Sequence, residues 1–197
     1  MSAHAETTFK LVEQSPLQGV SLVDELRGGG YVLYLRHAIT EHIKIDRTKF
    51  QFDDCTTQRN LDDAGREQAR EIGVAFKTLA VPVGKVISSP YCRCKDTGQL
   101  AFNKREINNN LHYSIGVTEE EKILLRDQLR DMLLTKPQPG TNTVLISHTA
   151  NLKDAVGVWP KPEGVIAIFK ILATGELGYF GLVLPEEWPR LVELVQK

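Results

Sequence analysis

Short apolar runs alternate with segments of helical spacing along this chain of 197 residues. The runs at 31–35, 83–88 and 143–147 have the length of buried strands, and a segment of helical spacing follows each of the last two. Such alternation favours a mainly parallel sheet with helices on both faces. The sequence therefore predicts an α/β fold, a three-layer αβα sandwich, with its active site at the carboxyl ends of the strands.

The boundaries of the other elements follow from local signals. Proline 90 suits the first turn of a helix, Thr118 with the three glutamates after it is a capping signature, and Gly28 to Gly30 end a short amphipathic stretch. The predicted helices cover 62–79, 91–102, 118–134 and 148–156, and the segments 165–171 and 177–182 form a closing hairpin. We predict a polar tail and short helix over residues 1–28, and a single domain over 29–197.

Composition limits the partners of the chain. Lysine and arginine number 24 against 25 aspartates and glutamates, so no global basic field predicts a nucleic-acid partner. No apolar stretch approaches the roughly 20 residues of a membrane-spanning helix, so no membrane span is expected. Oligomeric state is not determined by these features. Any site that binds an anion must therefore depend on a local group of basic residues.

Three predicted strands end in residues suited to one chemical task. Arg36 and His37 follow the first strand, Arg93 comes shortly after the second, and His148 follows the third. Arginine binds phosphate bidentately and stays ionised, so these side chains can surround a transferring phosphoryl group without a metal or another cofactor. A neutral His37 could attack phosphorus and form a phosphohistidine, while a protonated His148 stabilises the charge.

This ordered set resembles the histidine phosphatase superfamily, also called phosphoglycerate-mutase-like. The resemblance rests on Arg36-His37-Ala38, on Ser88-Ser89-Pro90 leading to Arg93, on Ser147-His148, and on the helix start at 61–69 with Gly65 and Gln68. It extends from residue 31 to about residue 169. The longer patterns at 58–61 and 147–151 are similar to the bacterial lipopolysaccharide heptose-phosphate phosphatase group.

The resemblance implies a role for each residue. Arg36 and Arg93 would clamp the phosphate, His37 would be phosphorylated, His148 would stabilise the transition state, and Thr40 would touch a phosphate oxygen. The segment 40–60 has no clear period and is predicted to be a lid or a pocket wall, from which Arg59 either binds substrate or remains an exposed arginine.

The proton donor is a separate question. Where phosphoglycerate mutases place a glutamate, the stretch 111–113 offers Tyr113. Glu163 is the first candidate, because a carboxyl group at a partly apolar rim can have its pKa raised toward neutrality, and Asp54 is the second. His42 and His112 are given no role.

Three functions remain open at this point. The first is a metal-independent phosphomonoesterase for a small phosphorylated metabolite or sugar phosphate. The second is a phosphomutase, which the missing glutamate disfavours, and the third is a non-catalytic module that binds a phosphorylated ligand.

Three cysteines, Cys55, Cys92 and Cys94, are too few for a disulfide scaffold and lack the spacing of a zinc site. One disulfide is possible if the protein is exported. The triplet Ala3-His4-Ala5 is like the end of a cleaved secretory signal, so an exported or periplasmic location is slightly favoured over a cytoplasmic one.

Overall fold

A single seven-stranded sheet organises the protein, whose computed structural model describes residues 9–46 and 51–196. The strands are β1 (Leu11–Glu13), β2 (Tyr31–Arg36), β3 (Val83–Ser88), β4 (Glu106–Ile107), β5 (Asn142–Ser147), β6 (Ile166–Ile171) and β7 (Leu177–Val183). Their order across the sheet is β1-β7-β6-β2-β5-β3-β4. The central strand β2 is parallel to β5, and β3 is parallel to both β5 and β4. Only β6 runs antiparallel to its neighbours within the described residues, so the prediction of a mainly parallel sheet is confirmed.

The helices begin and end at the expected kinds of residue. They are α1 (Gly19–Gly28), α2 (Asp63–Thr78), α3 (Cys92–Phe102), α4 (Glu119–Leu133), α5 (Thr149–Val156) and α6 (Glu187–Val195). Asp62 accepts a hydrogen bond from the backbone of Gly65, and Thr118 accepts one from the backbone of Glu121, so each caps a helix N-terminus. In the described part of the chain, no helix is both long and apolar enough to cross a bilayer.

Side chains of β2 alternate between two cores, one on each face of the sheet. Tyr31, Leu33 and Leu35 pack with residues of α1, α2, α3 and α6. Val32 and Tyr34 pack with residues of α4 and α5. Because a strand with both faces covered must be apolar throughout, β2 reads as a continuous apolar run, and the three-layer architecture is confirmed.

The N-terminal boundary predicted at residue 28 is corrected by the packing. Strand β1 pairs with β7 in parallel, and α1 buries Leu22, Val23 and Leu26 in the core shared with α2 and α6. Residues 11–28 therefore belong to the same sheet and core as the rest of the domain. The triplet at 3–5 lies outside the described residues.

Two smaller differences have local causes. Pro90 precedes Tyr91, the N-cap of α3, and so lies just outside the helix rather than in its first turn. Helix α6 was not predicted, because Pro189 obscures its helical signal, although proline is tolerated near a helix start. Trp188 of this helix is fully buried.

Candidate active site

The three predicted strand ends meet at one edge of the sheet. Arg36 pairs in register with Ser147, and Ser88 pairs with Ile146, so the residues that follow β2, β5 and β3 are brought side by side. The ring centroids of His37 and His148 lie 5.5 Å apart. Both histidines and Arg93 are at most 2% exposed. The sequence prediction that these groups converge is thus met.

A backbone contact orients His37. Its Nδ1 lies 2.9 Å from the carbonyl oxygen of Ala38. A carbonyl only accepts hydrogen bonds, so this contact selects the tautomer with the proton on Nδ1. The lone pair is left on Nε2, so this is the ring nitrogen that is available to attack an electrophile.

A hydroxyl and two aromatic rings hold His148. Its Nε2 lies 3.0 Å from Oγ of Ser89, and its backbone carbonyl accepts a hydrogen bond of 2.7 Å from the hydroxyl of Tyr34. The rings of Tyr91 and Tyr113 lie 5.0 Å and 5.1 Å from the His148 ring. Tyr113, which stands where mutases place a glutamate, therefore lies beside the site.

Burial lowers the pKa of both histidines well below the ordinary value of 6.5, and the neighbouring charge of Arg93 lowers each pKa further. His37 is therefore neutral at neutral pH, as the nucleophile must be. The expectation of a protonated His148 is not met by the protein's own groups, because burial and positive neighbours oppose protonation. A bound phosphate dianion would act in the opposite direction.

Arg36 is held by Glu163. One guanidinium nitrogen, Nη2, donates to Oε1 of Glu163 over 3.3 Å, and Nη1 donates to the carbonyl of Pro160 over 3.4 Å. Glu163 also accepts from the backbone N–H of Thr40 at 3.2 Å and from its hydroxyl at 2.9 Å. Glu163 thus lies at the site as predicted. The Thr40 hydroxyl, predicted to touch phosphate, is instead fully buried against Glu163.

Arg93 has a carboxylate partner that the sequence analysis missed. Its Nη1 lies 2.9 Å and 3.2 Å from the two carboxylate oxygens of Asp46, and its guanidinium stacks 4.2 Å from the ring centre of Tyr91. Asp46 in turn accepts from the backbone N–H of Arg59 at 2.8 Å. Asp46 carries no recognisable pattern, because it lies in the aperiodic segment 40–60.

Buried donors and acceptors without partners cluster here. In the part of the chain that the structure describes, five buried side-chain atoms lack a hydrogen-bond partner, and three are Nε of Arg36, Nε of Arg93 and Nδ1 of His148. An unpaired buried polar atom is unfavourable. An anion with several acceptor oxygens would satisfy the arginine atoms. Across the described residues, no group of His, Cys, Asp and Glu side chains could hold a metal ion.

The pattern Gly65…Gln68 has a structural explanation. A Cβ atom at Gly65 would lie 1.9 Å from the carbonyl oxygen of Ile39, so only glycine allows α2 to approach the loop after His37. Gln68 accepts from the backbone N–H of Ile39 at 3.1 Å and donates to the carbonyl of Glu163 at 3.3 Å. The helix start therefore fixes the two loops that carry His37 and Glu163.

The cysteines and Asp54 shape the segment that faces Arg93. Cys55 and Cys92 form a disulfide that ties this segment to the start of α3, and Cys94 is free and buried. Burial raises the pKa of the Cys94 thiol to about 12, so it is unreactive at neutral pH. The Asp54 side chain accepts from the backbone N–H of Thr56 at 3.0 Å and from its hydroxyl at 2.7 Å. These contacts give Asp54 a capping role.

A cavity of about 660 Å³ opens beside this cluster. Arg36, Arg59 and Glu163 line it, whereas His37, Arg93 and His148 do not. The other lining residues are Ile39, His42, Gln68, Lys161, Pro162, Pro185 and Glu186. The predicted binding residue Arg59 thus borders this cavity. The cavity adds His42 and Lys161, to which the sequence analysis gave no role.

Residues 32–116 match the model of the histidine phosphatase superfamily (branch 1). This region contains Arg36, His37 and Arg93, the same residues that converge at the sheet edge. Over these residues the chain is similar to the histidine phosphatase superfamily. His148 lies beyond the matched region, and the structure places it beside His37.

Solved structures of phosphatases share the fold of this chain. The protein histidine phosphatase SixA complexed with tungstate has 18% identity and a TM-score of 0.52, and the match covers 80% of this chain and 98% of that one. A phosphoserine phosphatase variant from Entamoeba histolytica with bound phosphoserine has 16% identity and a TM-score of 0.56, covering 79% and 98%. The alpha-ribazole phosphatase from Shigella flexneri has 13% identity and a TM-score of 0.60, covering 79% and 96%. No curated protein sequence matches this chain. At these identities the likeness shows the fold.

Proposed function

We propose that the protein is a metal-independent phosphomonoesterase that acts through a phosphohistidine on His37, with a small phosphorylated metabolite or sugar phosphate as its substrate. The observation that carries the proposal is the orientation of His37. Its Nδ1 is committed to Ala38, and its ring is buried 5.5 Å from that of His148, with Arg93 lowering the pKa of both.

The chemistry follows from these positions. Arg36 and Arg93 bind the non-bridging oxygens of the phosphoryl group, and Nε2 of His37 attacks phosphorus as the bond to the leaving oxygen breaks. The leaving oxygen takes up a proton and departs as an alcohol. Water then attacks the phosphohistidine, so that inorganic phosphate is released and His37 is regenerated neutral. His148, beside Ser89, stabilises the charge on the equatorial oxygens.

Glu163 remains our proposed proton donor, and its contact with Arg36 keeps it at the edge of the site. Its Oε1 lies 4.0 Å from Nδ1 of His37, the ring nitrogen opposite the attacking Nε2. Yet the carboxylate accepts three hydrogen bonds from Arg36 and Thr40, which gives it a second task in positioning Arg36. Asp54 is the weaker candidate because it caps the turn at Thr56.

The disulfide bears on location. Disulfides persist in oxidising compartments and are rare in the cytosol. The Cys55–Cys92 bond supports the proposal of an exported or periplasmic protein. A sugar phosphate of the cell envelope, proposed from the sequence resemblance, is compatible with that location.

The direct test combines turnover with trapping of the intermediate. Hydrolysis of p-nitrophenyl phosphate is measured in excess chelator, and phosphate labelling of the protein is measured after acid and alkali treatment. Wild type should be active and carry an acid-labile, alkali-stable label. His37→Ala should lose both, whereas Arg66→Lys, at a surface ion pair with Asp96, should keep both.

Activity that the chelator abolishes, or a label that survives in His37→Ala, would contradict the mechanism. Binding of phosphate without turnover would instead favour the non-catalytic module. Transfer of the label to a second hydroxyl compound rather than to water would favour the mutase.

A further inference from the structure

The cavity beside the catalytic cluster is larger than a phosphoryl group needs. Its volume of about 660 Å³ lies within the range of small-molecule sites, roughly 300–1,000 Å³. Arg36 and Glu163 belong to both the cavity and the catalytic cluster. The part of the substrate that is not transferred would therefore extend from the phosphate into this space.

Positive charge dominates the lining of the cavity. Arg59 and Lys161 both line it, and neither forms an ion pair with a carboxylate of the described residues. Of the two lining carboxylates, Glu163 is engaged by Arg36, and Glu186 is exposed. Arg59 is close enough to the catalytic cluster to lower the pKa of His37 and His148 as a minor cause.

An aromatic ring holds Lys161 at the cavity. The Nζ atom of Lys161 lies 4.6 Å from the ring centre of Trp159, and Nζ of Lys153 lies at the same distance from the same ring. Trp159 is 44% exposed and directly precedes Pro160, whose carbonyl accepts from Arg36. Lys153 does not line the cavity. The chain therefore offers two lysines in matched surroundings, only one of which faces the substrate space.

We propose that this cavity is a second anion subsite, in which Arg59 and Lys161 bind a carboxylate or a further phosphate of the substrate. The preferred substrate is then a phosphomonoester that carries another anionic group. This inference rests on the proposed phosphatase function and narrows its substrate class.

Three sugar phosphates separate the possibilities. Glucose 6-phosphate has no second anion, 6-phosphogluconate adds a carboxylate, and glucose 1,6-bisphosphate adds a phosphate. The value of kcat/KM for the preferred doubly anionic compound should exceed that for glucose 6-phosphate by about tenfold or more, the size of one charge-assisted contact. Which of the two is preferred identifies the second anion.

The lysine pair supplies the matched variants. The relevant ratio is kcat/KM for the preferred doubly anionic compound divided by kcat/KM for glucose 6-phosphate. Lys161→Met should reduce this ratio about tenfold, whereas Lys153→Met, which loses the same ring contact, should leave it as in wild type. Equal effects of the two variants, or a wild-type ratio near one, would overturn the subsite.

Binding measurements test the anion subsite independently of the proposed phosphatase activity. Dissociation constants of the three compounds are measured by calorimetry on His37→Ala, with and without Lys161→Met, so the ratio is obtained whether or not the protein turns the compounds over. Preference for the doubly anionic compounds that Lys161→Met removes supports the subsite, and absence of preference refutes it. Turnover of p-nitrophenyl phosphate reports separately on the phosphatase.

Discussion

The two arginines at the proposed phosphate site are held by carboxylates in different surroundings. Glu163, the partner of Arg36, lies in the loop that precedes β6, has a side chain that is 8% exposed, and also accepts from Thr40. Asp46, the partner of Arg93, belongs to the segment 40–60, and its side chain is 22% exposed. One arginine is positioned by the core of the fold, and the other by a loop.

This difference suggests different tasks for two similar ion pairs. Arg36 is oriented before substrate arrives, because Glu163 is itself fixed by Thr40 and by Gln68. Asp46 presents two carboxylate oxygens to Nη1 of Arg93, much as a phosphate would present its own. We therefore expect phosphate to replace Asp46 at Arg93 and to bind alongside Glu163 at Arg36. The following predictions test that distinction.

The largest effect is expected from the arginines themselves. Arg36→Lys and Arg93→Lys should each lower kcat/KM for p-nitrophenyl phosphate by about 100- to 1,000-fold, because lysine cannot bind the phosphoryl group with a planar fork. Steady-state kinetics measure this. Arg66→Lys, at a surface ion pair with Asp96, should be unchanged. A loss below tenfold at either site would remove that arginine from the clamp.

Glu163→Gln should have the next largest effect, a loss of about 10- to 100-fold, since a small displacement of a catalytic group costs up to about this factor. Because Glu163 is the proposed proton donor, we expect the loss to be larger for an alkyl phosphate than for p-nitrophenyl phosphate, whose leaving group needs little protonation. An equal loss on both would show that positioning of Arg36, through the three hydrogen bonds of Glu163, dominates. Glu186→Gln is the control from the same cavity.

Acid should destabilise the fold through the two buried histidines. Their pKa is lowered in the folded protein, so the unfolded chain binds protons first as the pH falls through 6.5. The free energy of unfolding should then fall by up to about 1.4 kcal/mol per pH unit for each histidine, until the folded-state pKa is passed. Denaturant unfolding between pH 7 and pH 5 measures the slope.

His148→Gln should reduce the slope of the unfolding free energy against pH by the contribution of one histidine. His42→Gln, at an exposed position, should leave the slope unchanged. Burial is the main cause of both lowered pKa values, and the charge of Arg93 adds to it for both rings, whereas that of Arg36 adds to it for His37. An unchanged slope in His148→Gln would mean that this ring is not buried as a neutral group.

The smallest effect is expected at Asp46. Asp46→Asn should strengthen inhibition by inorganic phosphate about fivefold, because the competing carboxylate is gone while its partly exposed ion pair is worth little. Asp53→Asn, in the same segment, is the control. Weaker inhibition by phosphate in Asp46→Asn would show that Asp46 orients Arg93, and the contrast with Glu163 would then disappear.

The sequence predicted the sheet and much of the site because both depend on local patterns. Short strand-like runs gave β2, β3 and β5, and the parallel arrangement brings the residues after these strands together, so Arg36, His37 and His148 could be placed without a structure. The short strand β1 carries too few residues to show a pattern, which is why residues 11–28 were set apart from the domain.

Local pattern by itself determined which residues end the central strands and where α2 begins, with Gly65 and Gln68 at its start. Only the tertiary structure decided which carboxylate meets which arginine, that Thr40 bonds to Glu163 rather than facing phosphate, and that Lys161 borders the same cavity as Arg59. The physical reason is that these contacts join loops far apart in the chain. No periodicity records such contacts, and the packing of the sheet and helices alone fixes their distances.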